Sequence, residues 1–137
     1  MPKMLNISEA ASLALHAMVL LAAHPEQRLA AGEIASELQA SEAHLSKVLQ
    51  RLARAGLVSS ARGPKGGFVL RRKREEITLL EVFEAVDGPF PAGKCLLGLT
   101  ACPATRCILG GVVEAVNQRV RSYLARTRLS KLSDVFA

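Results

Sequence analysis

The sequence contains no tryptophan, one tyrosine and four phenylalanines in 137 residues. So few rings exclude a stacking platform for single-stranded nucleic acid, which needs an aromatic face for each of several bases. Long apolar runs are missing too. The richest stretch, Leu13 to Ala23, is interrupted by His16 and falls short of the roughly 20 residues that cross a bilayer, so no membrane partner is expected. No export signal follows Met1-Pro2-Lys3, and the expected compartment is the cytoplasm, where cysteines stay reduced. The three histidines include none beyond His44, and the cysteines form no C-x-x-C pair, which disfavours a zinc ribbon or a thioredoxin-type site. Paired carboxylates, a nucleophile–base pair and an HExxH site are all lacking, so no enzyme activity is expected.

What is present is a core and an uneven charge. Half of the residues are apolar, enough for one domain with an appended helix and no need of disulfides. Eighteen Lys and Arg face twelve Asp and Glu, a formal net charge of +6. Lys47, Arg51, Arg54, Arg62, Lys65, Arg71, Arg72, Lys73 and Arg74 crowd one central stretch, with only Glu42, Glu75 and Glu76 alongside. Arg119, Arg121, Arg126, Arg128 and Lys131 form a second group. A merely solubilising surface intersperses both signs, whereas a one-signed cluster points to a polyanion.

Periodicity supplies the elements. Ser8 caps a first helix with Ala10, Ala14, Leu15, Met18, Leu21 and Ala22 on its apolar stripe, and His24-Pro25 ends it. A shorter helix spans Ala31 to Leu38; Ala30 offers no capping side chain, which predicts a soft start. Ser41 caps a third helix that ends at Gly56. Leu57 to Ala61 and Phe68 to Arg72 read as strands of a hairpin. Thr78-Leu79-Leu80-Glu81 is a capping box opening a fourth helix that ends near Asp87-Gly88-Pro89. The stretch from Pro89 to Arg106 holds too much proline and glycine for a helix. A long helix from about Ile108 to Arg126 follows, and Ser130 to Phe136 adds a final turn or two.

The third helix separates two faces: Leu45, Val48, Leu49 and Leu52 on one, His44, Lys47, Gln50, Arg51 and Arg54 on the other. A helix in the major groove needs this division, one face holding the fold and the other reaching phosphates and base edges. Lys47, Arg51 and Arg54 suit phosphates; Ser41, Glu42, His44 and Gln50 are candidates for bases. Just downstream, Arg62-Gly63-Pro64-Lys65-Gly66-Gly67-Phe68 forms a cationic hairpin tip in which Arg62 and Lys65 bring charge and Gly66 and Gly67 permit close approach of backbone to DNA. The spacing of a phosphate-binding P-loop is absent. A helix-turn-helix beside such a tip is a winged-helix DNA-binding unit, and the fold expected is mainly α with one small β-hairpin and a long C-terminal helix.

Cys95, Cys102 and Cys107 fall in or at the end of the irregular stretch. Three thiolates within thirteen residues can hold a soft metal, with an iron–sulfur cluster as the natural candidate. Such a cluster wants a fourth ligand, which the sequence does not make obvious; Glu9, Ser12 or another polar residue of the first helix, from this chain or a partner, is a conceivable source. Buried or incidental thiols and a dithiol redox switch fit the same spacing.

Together these residues resemble the Rrf-two family of bacterial winged-helix regulators. Ala14-Leu15-His16-Ala17-Met18, Ile34-Ala35 with Leu45-Ser46-Lys47-Val48-Leu49, and Ala55-Gly56-Leu57-Val58 leading into Arg62 to Phe68 carry the resemblance, followed by the Thr78-to-Glu81 helix start and the cysteine loop. The resemblance implies a homodimer, its long helices paired along Val112, Val116, Val120 and Leu124, presenting two recognition helices to a palindromic double-stranded operator. In cluster-bearing members three loop cysteines hold a 2Fe–2S or 4Fe–4S cluster whose state sets DNA affinity. Here the cysteine spacing differs from theirs, Gly110 stands nearest to one branch's histidine ligand, and Ser12 to the other branch's aspartate. A regulator without a cluster, responding through cysteine oxidation or not sensing, is the alternative. The expected division is residues 1–88 for DNA binding, 89–107 for sensing and 108–137 for dimerisation, in a protein that acts as a repressor.

Overall fold

The computed structural model describes residues 7–64, 66–90 and 103–136. Among them are helices α1 (Glu9–Ala23), α2 (Ala31–Leu38), α3 (Glu42–Arg54), α4 (Leu79–Asp87) and α5 (Val112–Arg126). Strands β1 (Val58–Ala61) and β2 (Gly67–Leu70) lie between α3 and α4, and a 3-10 turn, Leu129–Leu132, follows α5. Helix α1 is the centre of the molecule. Its Ala11, Ala14, Ala17, Met18, Leu21 and Ala22 are wholly buried, and it touches α2, α3, α4, β2 and the 3-10 turn. A helix apolar around most of its circumference must be enclosed on most sides, and its alanines let the neighbours approach closely. Ser8 caps it as expected, the hydroxyl accepting the Ala11 N–H at 3.0 Å.

The start of α2 is better held than the bare Ala30 suggests. The Glu33 carboxylate reaches back to the Ala30 N–H at 3.1 Å, the acidic half of a capping box working without its hydroxyl half. The preceding Leu29 exchanges two backbone hydrogen bonds with Phe68, at 2.8 and 3.0 Å, and so bridges to the edge of the hairpin at one residue. Gln39, in the left-handed region at φ 54, closes α2, and the Ala40 N–H returns to the Ala35 carbonyl at 2.9 Å. That turn sets α2 against α3.

The hairpin pairs antiparallel, Val58 with Leu70 at its base and Ala61 with Gly67 next to its tip. Each strand differs from expectation at its edges: β1 begins at Val58, and β2 runs from Gly67 to Leu70 and stops short of Arg71 and Arg72. The Arg71 N–H still donates to the Leu57 carbonyl at 3.1 Å. Beyond it, where the ladder has ended, the Arg72 guanidinium binds Glu81 at 2.7 Å. Glu81 therefore does not complete the capping box of α4; only the Thr78 half forms, its hydroxyl accepting the Glu81 N–H at 3.2 Å.

Helix α5 begins at Val112, four residues later than its hydrophobic pattern suggests. Gly110 and Gly111, at φ 56 and 85, are left-handed and cannot continue a right-handed helix. After α5 the chain returns to the first half of the fold. The Leu79 N–H binds the Thr127 carbonyl, the Leu129 N–H binds that of Ile77, and the Ser130 N–H binds that of Arg74, at 2.9 to 3.1 Å. Leu124 and Leu129 are buried in the same cluster as Met18, Ile77 and Phe83. The C-terminal segment thus closes the core of the helical domain while the start of α5 stands outside it.

Candidate nucleic-acid interface

Helix α3 divides as its sequence demands. Leu45, Val48, Leu49 and Leu52 are buried. At 100° per residue, Ala43, Lys47, Gln50 and Arg54 point opposite to them, and all four are exposed. The side chains of Lys47, Gln50 and Arg54 make no hydrogen bond or ion pair among the described residues. Three expected DNA contacts have intramolecular engagements as well. Ser41 caps the helix, its hydroxyl accepting the His44 N–H at 3.3 Å. His44 is half-buried on the flank. The Glu42 carboxylate lies over the first turn of α2, where a Cβ added to Gly32 would come within 3.4 Å of it; the positive end of the α2 dipole favours an acid there. Arg51, also on the flank, donates to the Val86 carbonyl at 3.2 Å and so ties α3 to the C-terminal turn of α4.

At the wing tip Arg62, Gly63 and Pro64 are exposed, and Lys65 lies outside the described residues. Gly66 and Gly67, read in the sequence as room for DNA, are required by the chain itself. The Gly66 N–H binds the Gly63 carbonyl at 2.9 Å, and a Cβ on Gly66 would strike the Ala61 carbonyl. A Cβ on Gly67, at φ 130, would sit 2.6 Å from the Leu29 carbonyl oxygen. These glycines shape the tip and let the hairpin approach Leu29 closely. The Leu29 bridge carries no signal in the sequence; flanked by Arg28 and Ala30, it shows no alternation to mark it.

The remaining central cations divide in two. Arg72 is paired with Glu81 and donates to the Glu76 carbonyl. Arg74 donates to the Ala22 carbonyl at 2.8 Å, at the end of α1, and lies 3.6 Å from Glu75. Arg71 and Lys73 are exposed and have no such partner among the described residues.

Of the three cysteines, Cys95 and Cys102 lie outside the described residues, and Cys107 is exposed. The Cys107 sulfur accepts the Leu109 N–H at 3.4 Å. Phe90, the last described residue before the cysteines, is buried, its ring 5.1 Å from that of Phe83, and its N–H donates to Glu84. On α1, Ser12 is half-buried and Glu9 exposed. Among the described residues no three His, Cys, Asp or Glu side chains converge as a metal site.

The stripe expected to pair two chains changes character along α5. Val112 is 57% exposed, Val116 40%, Val120 half-buried and Leu124 only 5% exposed. Leu124 therefore belongs to the chain's own core, with Leu129 below it, and the outward part of the stripe is Val112 and Val116, joined by the exposed Ile108 and Tyr123. No helix among the described residues is long and apolar enough to cross a membrane.

Comparison with known proteins agrees with this geometry. Residues 7–135 match the model of the family Rrf2, described as Iron-dependent Transcriptional regulator. The HTH-type transcriptional regulator IscR of Xenorhabdus nematophila is 32% identical over 121 residues, covering 87% of this chain and 73% of that protein. Among solved structures, CymR, the global cysteine regulator of B. subtilis, superposes with a TM-score of 0.77 at 26% identity, over 96% of this chain and 98% of that one. IscR of T. potens superposes with a TM-score of 0.73 at 26% identity, over 96% and 89%. The outward face of α3, the wing beside it and these likenesses lead to one conclusion: the chain belongs to the Rrf2 family, and it is a winged-helix, DNA-binding transcriptional regulator, not an enzyme.

Proposed function

We propose that the protein is a homodimeric cytoplasmic repressor that reads a palindromic operator, its grip set by an iron–sulfur cluster. The observation that carries the DNA contact is the set of exposed cations without partners among the described residues, Lys47 and Arg54 on α3 and Arg62 at the wing tip. In this reading Lys47, Arg54, Arg62 and Lys65 bind phosphates and Gln50 meets base edges. Ser41, His44 and Glu42 present the start of the helix, Arg51 braces it, and Gly66 and Gly67 shape the wing. Residues 1–88 with the returning tail form the DNA-binding unit, 89–107 the sensing segment, and α5 the dimer contact. Exposed Val112, Val116 and Tyr123 support that contact, because a small domain does not leave a contiguous apolar face to water without a partner.

Cys95, Cys102 and Cys107 would hold the cluster. The chemistry fits at the described position: the Cys107 thiol is exposed, and the Leu109 N–H is directed at its sulfur, the kind of amide hydrogen bond that tunes a bound metal. Ser12 and Glu9 of α1 are the candidates for a fourth ligand. Bound, a 2Fe–2S or 4Fe–4S group supplies sensitivity to iron supply and oxidants. Anaerobically purified protein is expected to be coloured and to contain iron and sulfide, both lost in Cys107→Ala. A colourless, iron-free protein whose three cysteine-to-alanine variants bind DNA as wild type does would overturn the cluster reading.

A second reading is favoured by the likeness to CymR, whose solved structures include an oxidised form from Staphylococcus aureus, with a TM-score of 0.75 at 26% identity. The cysteines then act as a thiol switch without metal. Mass spectrometry after peroxide treatment would show a disulfide or sulfenate among Cys95, Cys102 and Cys107, and unmodified thiols would exclude it.

A further inference from the structure

At the base of the wing, the end of the hairpin away from its tip, lies an open cleft of about 410 Å³. One wall is Pro25 and Glu26 in the turn after α1; the other is Leu70, the last residue of β2, with Arg71 to Glu75 after it. Leu70 pairs with Val58 at the hairpin base, and Gly67 with Ala61 beside the tip. At about 3.3 Å per residue, the cleft therefore stands about 10 Å back from the expected minor-groove contact. Its volume lies within the range of about 300–1,000 Å³ typical of small-molecule sites.

The walls are braced and the charges are open. Arg72 is fixed by Glu81 and the Glu76 carbonyl, and Arg74 by the Ala22 carbonyl and Glu75. The Arg71 backbone is held by the Leu57 carbonyl. On this frame the Arg71 and Lys73 side chains are exposed and make no hydrogen bond or ion pair among the described residues. Of the lining carboxylates, Glu75 is already beside Arg74, which leaves Glu26 as the one without a cationic partner among those residues. A guanidinium and an ammonium without partners among the described residues, in a cleft also lined by Pro25 and Leu70, match an oxyanion on a small carbon skeleton.

We propose that this cleft is an oxyanion site, suited to a small phosphorylated or carboxylated metabolite, that tunes the wing. The inference rests on the DNA-binding reading, because its two walls flank the Leu29–Phe68 hydrogen bonds that join the wing to the helix-turn-helix. An anion drawn between them would stiffen that joint. The same chemistry could be supplied instead by a backbone phosphate of DNA flanking the operator.

The test is a titration of DNA-free protein with inorganic phosphate and pyrophosphate at low chloride, followed by amide NMR. Saturable shifts are expected at Glu26 and Leu70 to Glu75. The Arg71→Ala/Lys73→Ala double variant should bind about tenfold or more weakly, whereas Arg119→Ala/Arg121→Ala, on α5, should bind as wild type does. A second arm measures binding to a short duplex as salt is raised. If the small anions do not saturate but the double variant lowers the salt slope, the oxyanion is a DNA phosphate. If neither readout distinguishes the double variant from wild type, there is no site. Saturable anion binding in a protein that ignores duplex DNA would leave the cleft standing and overturn the regulator reading instead.

Discussion

Helices α1 and α5 are both fifteen residues long, yet α1 buries eight of its residues and α5 one. The difference follows from composition. Around α1 run Ala, Met, Val and Leu with only Glu9, Ser12 and His16 to face water, while α5 alternates a thin apolar stripe with Arg119, Arg121 and Arg126. The first is a helix that a monomer can enclose by itself. The second is held where Val120, Leu124 and Thr127 meet the rest of the fold, while Val112 and Val116 nearer its start stay exposed. The cations divide in the same way: Arg51, Arg72 and Arg74 point inward to carbonyls and carboxylates and hold elements together, while Lys47, Arg54 and Arg62 point outward.

Substitutions can break or sharpen that contrast. The largest loss is expected from Met18→Ala, which opens a cavity at the centre of α1 and should cost about 2–5 kcal/mol in chemical denaturation. Leu124→Ala, at the anchored end of α5, should cost about 2–3 kcal/mol by the same mechanism; a negligible effect would mean that α5 is not part of the core. Val116→Asp, at the free end, should leave the fold of each chain within about 0.5 kcal/mol. It should nonetheless weaken self-association at least about tenfold in sedimentation or light scattering. The smallest effect on stability is in the cations. Arg51→Ala should lose about 1 kcal/mol through its bond to the Val86 carbonyl, and Lys47→Ala nothing measurable, although only the latter should change the salt dependence of DNA binding.

The sequence made the helices readable because their signals are local. Ser8, Ser41 and Thr78 cap where a hydroxyl is expected, and the apolar spacing of α3 marks the face that the fold buries. Helix α1, by contrast, also buries Ala11, Ala17, Val19 and Leu20 and leaves Ala10 and Leu15 of its expected stripe half-buried. What it hid depends on contacts between distant residues. Leu29 forms a β-bridge only because Phe68 arrives beside it. Arg51 and Arg72 look like DNA contacts when charge alone is considered, and only the approach of α4 shows their carbonyl and carboxylate partners. Gly66 and Gly67 stand where the chain needs glycine, as the hairpin pattern implies, but the crowding comes from Ala61 and Leu29 of the same chain. Leu124 shares its stripe with Val112 and Val116, and periodicity alone cannot tell that one end of a helix is inside and the other out.

The central claim is that the outward cations, and not the basic composition as a whole, make the DNA interface. The direct measurement is the salt dependence of duplex binding for wild type, for Lys47→Ala/Arg54→Ala/Arg62→Ala and for Arg119→Ala/Arg121→Ala/Arg126→Ala, three cations removed in each. The first triple variant should flatten the slope of log affinity against log salt by roughly 0.9 for each phosphate no longer neutralised, and the second should leave it as in wild type. Equal flattening in both variants would contradict the claim.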